Sequence, residues 1–179
     1  TVTYISEMMR FQTKTSLRSV ESDWYLKNTP ISLPSRQIRS GTTLRIIIAG
    51  VFLVHGVGHI LGFFPAFRLT EMDNWTSRSW LLTPIVGDTI SRVICVIFFG
   101  AALLGFIGAS LSVMSWVIPH DLWRTLAIVS SVISLIALIL FWNAFPALIP
   151  NKVGALAVDI ATLVCLLWLN WPSETAIGY

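Results

Sequence analysis

Long apolar segments alternate with short polar ones along most of this chain. The apolar segments are residues 44–64, 85–113, 125–145 and 153–171. Roughly 20 mainly apolar residues are enough for an α-helix to cross a bilayer, so the pattern predicts four transmembrane helices. The connectors between them are short, which favours neighbouring helices that run in opposite directions. The predicted fold class is therefore all-α, an integral membrane four-helix bundle with antiparallel up-down topology.

The composition agrees with a protein embedded in lipid. Hydrophobic residues make up 55% of the chain, charged residues 12%, and the mean hydropathy is +0.75. A water-soluble domain of this size would carry far more charge. Both cysteines, Cys95 and Cys165, lie inside apolar segments and form no CxxC pair, so we interpret them as packing residues.

The two ends of the chain differ from the middle. Residues 1–43 are polar and basic and contain Pro30 and Pro34, which predicts an N-terminal tail without a fold of its own. The transmembrane domain is predicted to cover residues 44–172, and residues 173–179 form a short C-terminal end. A long tail on a small bundle suggests attachment to another protein.

Basic residues predict the orientation. With four spans, the tail, the middle connector and the C-terminal end share one side of the membrane, and most of the twelve Lys and Arg residues lie there. By the positive-inside tendency, both termini are cytoplasmic. The basic tail therefore indicates control of topology, not binding of nucleic acid, and the expected partners are membrane lipids and other proteins. Tryptophans are expected at the two interfaces, with Trp75, Trp80 and Trp142 at one and Trp116, Trp123, Trp168 and Trp171 at the other.

The least expected residues are two histidines in the middle of the first apolar segment, in the sequence HGVGH. A helical rotation of about 100° per residue places His55, His59, Gly58 and Gly62 on one stripe. The two imidazoles therefore face the same neighbour. The two glycines form a small-xxx-small pair, which lets a helix or a flat ligand approach the backbone closely. This stripe is our candidate cofactor-binding surface, together with Arg92.

Further polar residues lie at a similar depth in the other spans. Under the predicted topology they all fall in the middle or outer half of the membrane, and they are Asp88, Arg92, Asn143 and Asp159. Each ionisable group in a span costs about 2.5–3.5 kcal/mol on insertion scales, and such groups usually face the bundle interior and pair. We therefore expect one polar pocket near the outer face.

Each of these polar groups has more than one interpretation. The histidines either hydrogen bond between helices, to a serine or a carboxylate, or ligate a tetrapyrrole or a metal ion, with Asp159 or Asp88 as a further metal ligand. The HExxH glutamate of a metalloprotease is absent. Asp88 and Arg92, one turn apart, also suit a local ion pair at the membrane edge. His120, in the middle connector, is expected to be exposed to solvent.

The stretch HGVGHILGFFPAF, followed by an interfacial loop and three further apolar segments, resembles small uncharacterised bacterial four-helix membrane proteins. More loosely, it is similar to the DoxX-like group. The resemblance covers about residues 44–171, and its specific part is HGxGHxxGF. It implies a bundle in the bacterial cytoplasmic membrane and a link to quinone redox chemistry. The long tail departs from that pattern.

Three functions fit these observations. The first, which we favour because no complete catalytic set is present, is an accessory subunit of a respiratory or photosynthetic membrane complex, with haem or a chlorin on His55 or His59. The second is a small quinone- or lipid-linked redox enzyme, in which His59 transfers protons, Asp159 orients it and Arg92 holds an anionic group. The third is a carrier of a metal ion or small solute, with His55, His59 and Asp159 as ligands.

Overall fold

The computed structural model describes residues 35–69, 74–146 and 151–179, with side chains from residue 41 onward. All regular secondary structure within these ranges is helical, so the all-α prediction is confirmed. The main helices are α1 (Ser35–Gly58), α2 (Leu82–Val113), α3 (Trp123–Leu140) and α4 (Val153–Leu163). The predicted tail lies outside the described residues up to residue 34.

Three helical stretches are long and apolar enough to cross a membrane, judged by length and composition. They are Gly41–Ala66, Leu82–Val113 and His120–Leu140. The stretch Val153–Trp168 is also apolar, but it is shorter. An integral membrane protein with apolar helices is therefore supported, whereas a fourth complete span stays a prediction.

α1 begins earlier than the predicted span, and the helix changes type before the span ends. It starts at Ser35, inside the predicted tail, because no proline follows Pro34 before the apolar segment begins. Beyond Gly58 the chain tightens into a 3₁₀ helix, His59–Gly62, and then makes one α-helical turn, Phe63–Ala66. His59 therefore belongs to a tighter helix than His55.

The other helices also depart from the predicted limits. Within α2, Gly87 has φ 82° and ψ 168°, a conformation that glycine tolerates, and it interrupts the helix near its start. α3 ends at Leu140, where Phe141 leaves the helical conformation (φ −119°, ψ 47°), and Pro146 favours the extended backbone seen at Phe145. α4 continues as a π-helix, Val164–Trp168, and ends before Asn170, which has φ 51°.

One end of the bundle is closed by the C-terminal residues. The ring of Tyr179 stacks on His120, with 3.5 Å between ring centroids. Its hydroxyl hydrogen bonds with Arg45 of α1 and with Ser115 after α2. Arg45 of α1, the α2–α3 connector and the C-terminal end therefore meet at one end, as the up-down topology requires. The prediction that His120 is exposed to solvent was wrong, because Tyr179 and Glu174 cover it.

Two apolar clusters fill the interior. One surrounds Phe106 and Trp123, and the other surrounds Phe99 and Phe141. Trp123 is 1% exposed and so is a core residue, not the interfacial one that the tryptophan pattern predicted. His59 lies between these clusters, since its ring contacts both Phe99 and Phe106.

Candidate functional site

The two histidines sit where α1 passes close to α2. A Cβ atom on Gly56 would lie 2.9 Å from Cβ of Phe106, and one on Gly62 would lie 2.5 Å from a ring carbon of Phe99. Glycine at these two positions therefore allows two aromatic rings of α2 to pack directly against the α1 backbone. The same two rings contact the imidazoles: His55 lies 4.6 Å from Phe106, and His59 lies 6.0 Å from Phe99, between ring centroids.

A chain of hydrogen bonds connects the histidines to α3 and α4. Nε2 of His55 lies 2.9 Å from Oδ1 of Asp159. The other carboxylate oxygen, Oδ2, lies 2.5 Å from Oγ of Ser134, and Oγ lies 2.8 Å from Nε2 of His59. Nδ1 of His59 closes the chain by donating to the carbonyl oxygen of His55, at 2.9 Å. Three helices thus meet in one polar network.

Most of this network is sealed from the surface. Asp159 and Ser134 have no exposed area, and His59 is 1% exposed. The rings of Phe99, Phe106 and Phe145 enclose His59. The side chain of His55 is 8% exposed. His55 is therefore the member through which the network is most accessible.

A groove of about 630 Å³ lies beside the network, between α1 and α4. His55, Gly58 and His59 line it from α1, and Asn151 and Gly154 line it from the other side. Apolar residues form most of the rest of its wall. No atom lies within 4 Å of a Cβ built on Gly58, so this glycine leaves room in the groove. Gly58 and Gly62, predicted to act together, therefore have different surroundings.

The groove continues toward the C-terminal end of the bundle. A second, almost wholly apolar groove of about 270 Å³ shares Ile47, Val51 and Val158 with the first. It runs past Phe52 and Cys165 to the level of Trp171. The two grooves therefore adjoin, and we refer to them together as the channel, which is polar at the histidines and apolar along the remainder.

Comparison with known proteins adds no relative. No family model, no curated protein and no solved structure matches this chain. The resemblance to DoxX-like proteins therefore stays a prediction, and the site is interpreted from its own geometry.

The structure does not bring all of the predicted pocket residues together. Nε of Arg92 lies 3.3 Å from a carboxylate oxygen of Asp88, and Arg68 lies 4.0 Å from the same oxygen. This is the local ion pair that the spacing of one turn allowed. Asn143 lies at another surface depression, beside Trp80 and Trp142. Of the predicted polar residues, only Asp159 reaches the histidines through a hydrogen bond that the structure describes.

Three of the four ring nitrogens of His55 and His59 that could ligate a metal or haem iron are engaged in hydrogen bonds. Nε2 of His55, and both ring nitrogens of His59, have partners within the network. Within the ranges that the structure describes, no three His, Cys, Asp or Glu side chains are arranged to hold a metal ion. The predicted metal set of His55, His59 and Asp159 is thus brought together as hydrogen-bonding partners.

Two members of the site were not singled out from the sequence. Ser134 is one, and its signal was the group Ser130, Ser131 and Ser134 inside an otherwise apolar helix. Serines inside a membrane helix often hydrogen bond to another helix. Asn151 is the other; it follows Pro150 at the start of the last apolar segment, where a polar residue at the membrane edge is ordinary.

Proposed function

We propose that this protein is a four-span bundle in a bacterial cytoplasmic membrane, with both termini on the cytoplasmic side, that binds a lipid-soluble molecule of the quinone class between α1 and α4. The observation that carries the proposal is the channel beside His55, polar at one level and apolar along its length. Small-molecule sites typically combine a mostly apolar wall with a few placed polar groups, as this channel does.

The shape and lining favour an amphiphile over a compact polar solute. A molecule with an isoprenoid or acyl tail fits the apolar part between Ile47 and Trp171, where it would replace membrane lipid. Its head group would lie beside His55 and Asn151, which supply hydrogen-bonding atoms. Quinone carbonyls accept hydrogen bonds, and the reduced form donates them. A head of this class therefore matches groups that both donate and accept.

The engaged histidine nitrogens support this proposal over haem or chlorin ligation. A haem iron on His59 would require Nε2 to leave Ser134, and one on Nε2 of His55 would leave the carboxylate of Asp159 without that partner. Removing a partner from a buried polar group costs about 1–3 kcal/mol. Proton transfer along the network leaves each of these nitrogens with its hydrogen-bond partner, so it does not carry that cost.

Reduction or oxidation of a quinone also needs an electron donor or acceptor, which we expect from another protein. The favoured prediction from the sequence, an accessory subunit of a larger membrane complex, is compatible with this requirement. In that combination the chain supplies the binding groove and proton exchange, and its partner supplies electrons. Copurification of subunits from native membranes is the direct measurement of this part.

The groove is tested by filling it. We expect wild-type protein purified in mild detergent to yield quinone in stoichiometric amount on solvent extraction and mass spectrometry. Gly58→Leu places a side chain in the open space of the groove, and the quinone content should fall at least tenfold. Ala101→Leu, which introduces the same side chain on an exposed face of α2, should retain it.

Two results would overturn the proposal. One is wild-type protein that carries no quinone and does not take up ubiquinone or menaquinone added in nanodiscs. The other is equal quinone content in Gly58→Leu and Ala101→Leu, because the molecule would then be bound elsewhere. A visible haem or chlorin band lost in His55→Ala would instead return the accessory pigment subunit to first place.

A further inference from the structure

The hydrogen bonds of the network require a definite number of protons. Each of its four contacts joins two atoms that both carry lone pairs, so each needs one proton between them. The contacts are His59 Nδ1 to the His55 carbonyl, His59 Nε2 to Ser134 Oγ, Ser134 Oγ to Asp159 Oδ2, and Asp159 Oδ1 to His55 Nε2. Four protons are therefore needed.

The groups in their ordinary states supply only three. A carbonyl oxygen accepts and never donates, so the proton of a neutral His59 must sit on Nδ1. Ser134 brings one hydroxyl proton, and a neutral His55 brings one on Nε2. An ionised Asp159 brings none. In that state either the 2.8 Å contact or the 2.5 Å contact of Ser134 would set two lone pairs against each other.

One additional proton satisfies every contact, and it has two places to sit. If Asp159 carries it on Oδ2, the carboxyl donates to Ser134, and Ser134 donates to Nε2 of His59. If His59 carries it on Nε2, that nitrogen donates to Ser134, and Ser134 donates to the ionised carboxyl. The two arrangements differ by a paired shift of two protons along these bonds, with no heavy atom moved beyond hydrogen-bond reach.

The burial of the network independently favours a state of zero net charge, which the additional proton provides. Asp159 and Ser134 are wholly buried, and the rings around His59 carry no titratable group: Phe99, Phe106 and Phe145. The titratable groups in the network are His55, His59 and Asp159. A lone carboxylate in the middle of a membrane bundle is costly. With the additional proton, the net charge of the network is zero in both arrangements.

We propose that His59, Ser134 and Asp159 form a proton relay that stores one proton, with the Ser134 hydroxyl passing it between the imidazole and the carboxyl. Asp159 also accepts from His55, the more exposed of the two histidines, so the relay connects buried His59 to the more accessible His55. The relay depends on these contacts alone and not on which molecule occupies the groove.

The proton count can be measured on the intact protein. Histidine nitrogen NMR of ¹⁵N-labelled protein in nanodiscs reports whether His59 carries one proton or two, and on which nitrogen. Infrared spectroscopy in H₂O and D₂O reports whether Asp159 carries a carboxyl proton, with Asp159→Asn identifying the band. We expect the two measurements at pH 7 to sum to one additional proton. A sum of zero, or of two, overturns the relay.

An isosteric variant provides a second test that does not depend on where the proton sits in the wild type. In Asp159→Asn the amide can donate to Ser134 and accept from His55, which reproduces the protonated carboxyl. Ser134 must then donate to Nε2 of His59, so we expect His59 as the neutral Nδ1–H form. A doubly protonated His59, or the Nε2–H form, in this variant contradicts the relay. Ser131→Ala, in the same helix as Ser134, should leave the nitrogen NMR signal of His59 and the infrared band of Asp159 unchanged.

Discussion

Nε2 of His55 and Oδ1 of Asp159 lie 2.9 Å apart, although 104 residues separate them along the chain. This contact bridges α1 and α4, the two helices that border the groove. A hydrogen bond between the two helices fixes their spacing beside the groove without filling it. The contact therefore positions His55 for exchange with an occupant while it holds the bundle together.

Loss of the Asp159 carboxyl should destabilise the bundle, whereas an amide in its place should not. Asp159→Ala leaves Ser134 and His55 short of a partner, and breaking a buried pair costs about 3–5 kcal/mol. Asp159→Asn keeps every hydrogen bond, so its free energy of unfolding should stay within about 1 kcal/mol of wild type. Unfolding in mixed detergent micelles, followed by circular dichroism, measures both. Equal losses in the two variants would mean that the network contributes nothing specific.

Two serines in α3 should respond oppositely to replacement by alanine. Oγ of Ser131 is buried without a hydrogen-bond partner, whereas Oγ of Ser134 bonds to both His59 and Asp159. Ser131→Ala removes an unsatisfied hydroxyl and should leave stability unchanged or raise it by about 1 kcal/mol. Ser134→Ala should lower it by about 1–2 kcal/mol, since hydrogen bonds between membrane helices are of that order at most. Micelle unfolding of the pair side by side tests the sign of the difference.

Much of the fold could be predicted from periodicity and composition, because a bilayer constrains length and hydropathy strongly. The limits of the helices could not, since they depend on single residues such as Gly87 and Pro146. The polar residues were harder still. Sequence alone gives depth along a span but not rotation about its axis, so Asp88 and Asp159 were expected in one pocket although only Asp159 faces the histidines.

The hydrogen-bonding interpretation of the histidines named a serine or a carboxylate as the partner, and the structure contains both. Ser134 itself could not be identified, because the sequence does not show which of the three serines of α3 faces the histidines. Contacts between helices that are distant in sequence decide among them. The closed C-terminal end was also beyond the sequence, since the stacking of Tyr179 on His120 depends on where α2 and α3 meet.

Glycines of the first helix should differ sharply in their tolerance of alanine. A methyl group on Gly62 would meet the ring of Phe99 at 2.5 Å, whereas one on Gly58 meets nothing within 4 Å. Gly62→Ala should therefore lower the free energy of unfolding by about 1–3 kcal/mol, the usual cost of overpacking. Gly58→Ala should leave it unchanged or raise it by up to about 1 kcal/mol, because alanine favours helix over glycine. If Gly62→Ala proves neutral, the close approach of α1 and α2 is not required.

The closed end of the bundle should weaken in acid through Glu174. Partial burial alone would raise the pKa of Glu174, but hydrogen bonds and charge from His120 and Arg124 outweigh it and hold the pKa below its usual value. A carboxyl with a lowered folded-state pKa stabilises the fold above its unfolded pKa of about 4.3, and this contribution is lost as the pH falls through the folded value. Stability should therefore decline below about pH 5.

Replacement of Glu174 by glutamine isolates this contribution. The side chain is 47% exposed, so solvent screening limits the effect to less than about 1 kcal/mol. Glu174→Gln should be less stable than wild type at pH 7 by that amount, and the difference should shrink toward zero at pH 3 to 4 as the wild-type carboxyl protonates. Asp121→Asn, at an exposed acid of the α2–α3 connector next to His120, serves as the control and should change stability less at pH 7. Thermal unfolding of the three proteins across this pH range makes the measurement, and a difference between Glu174→Gln and wild type that persists undiminished in acid would remove the ion pairs with His120 and Arg124 as its cause.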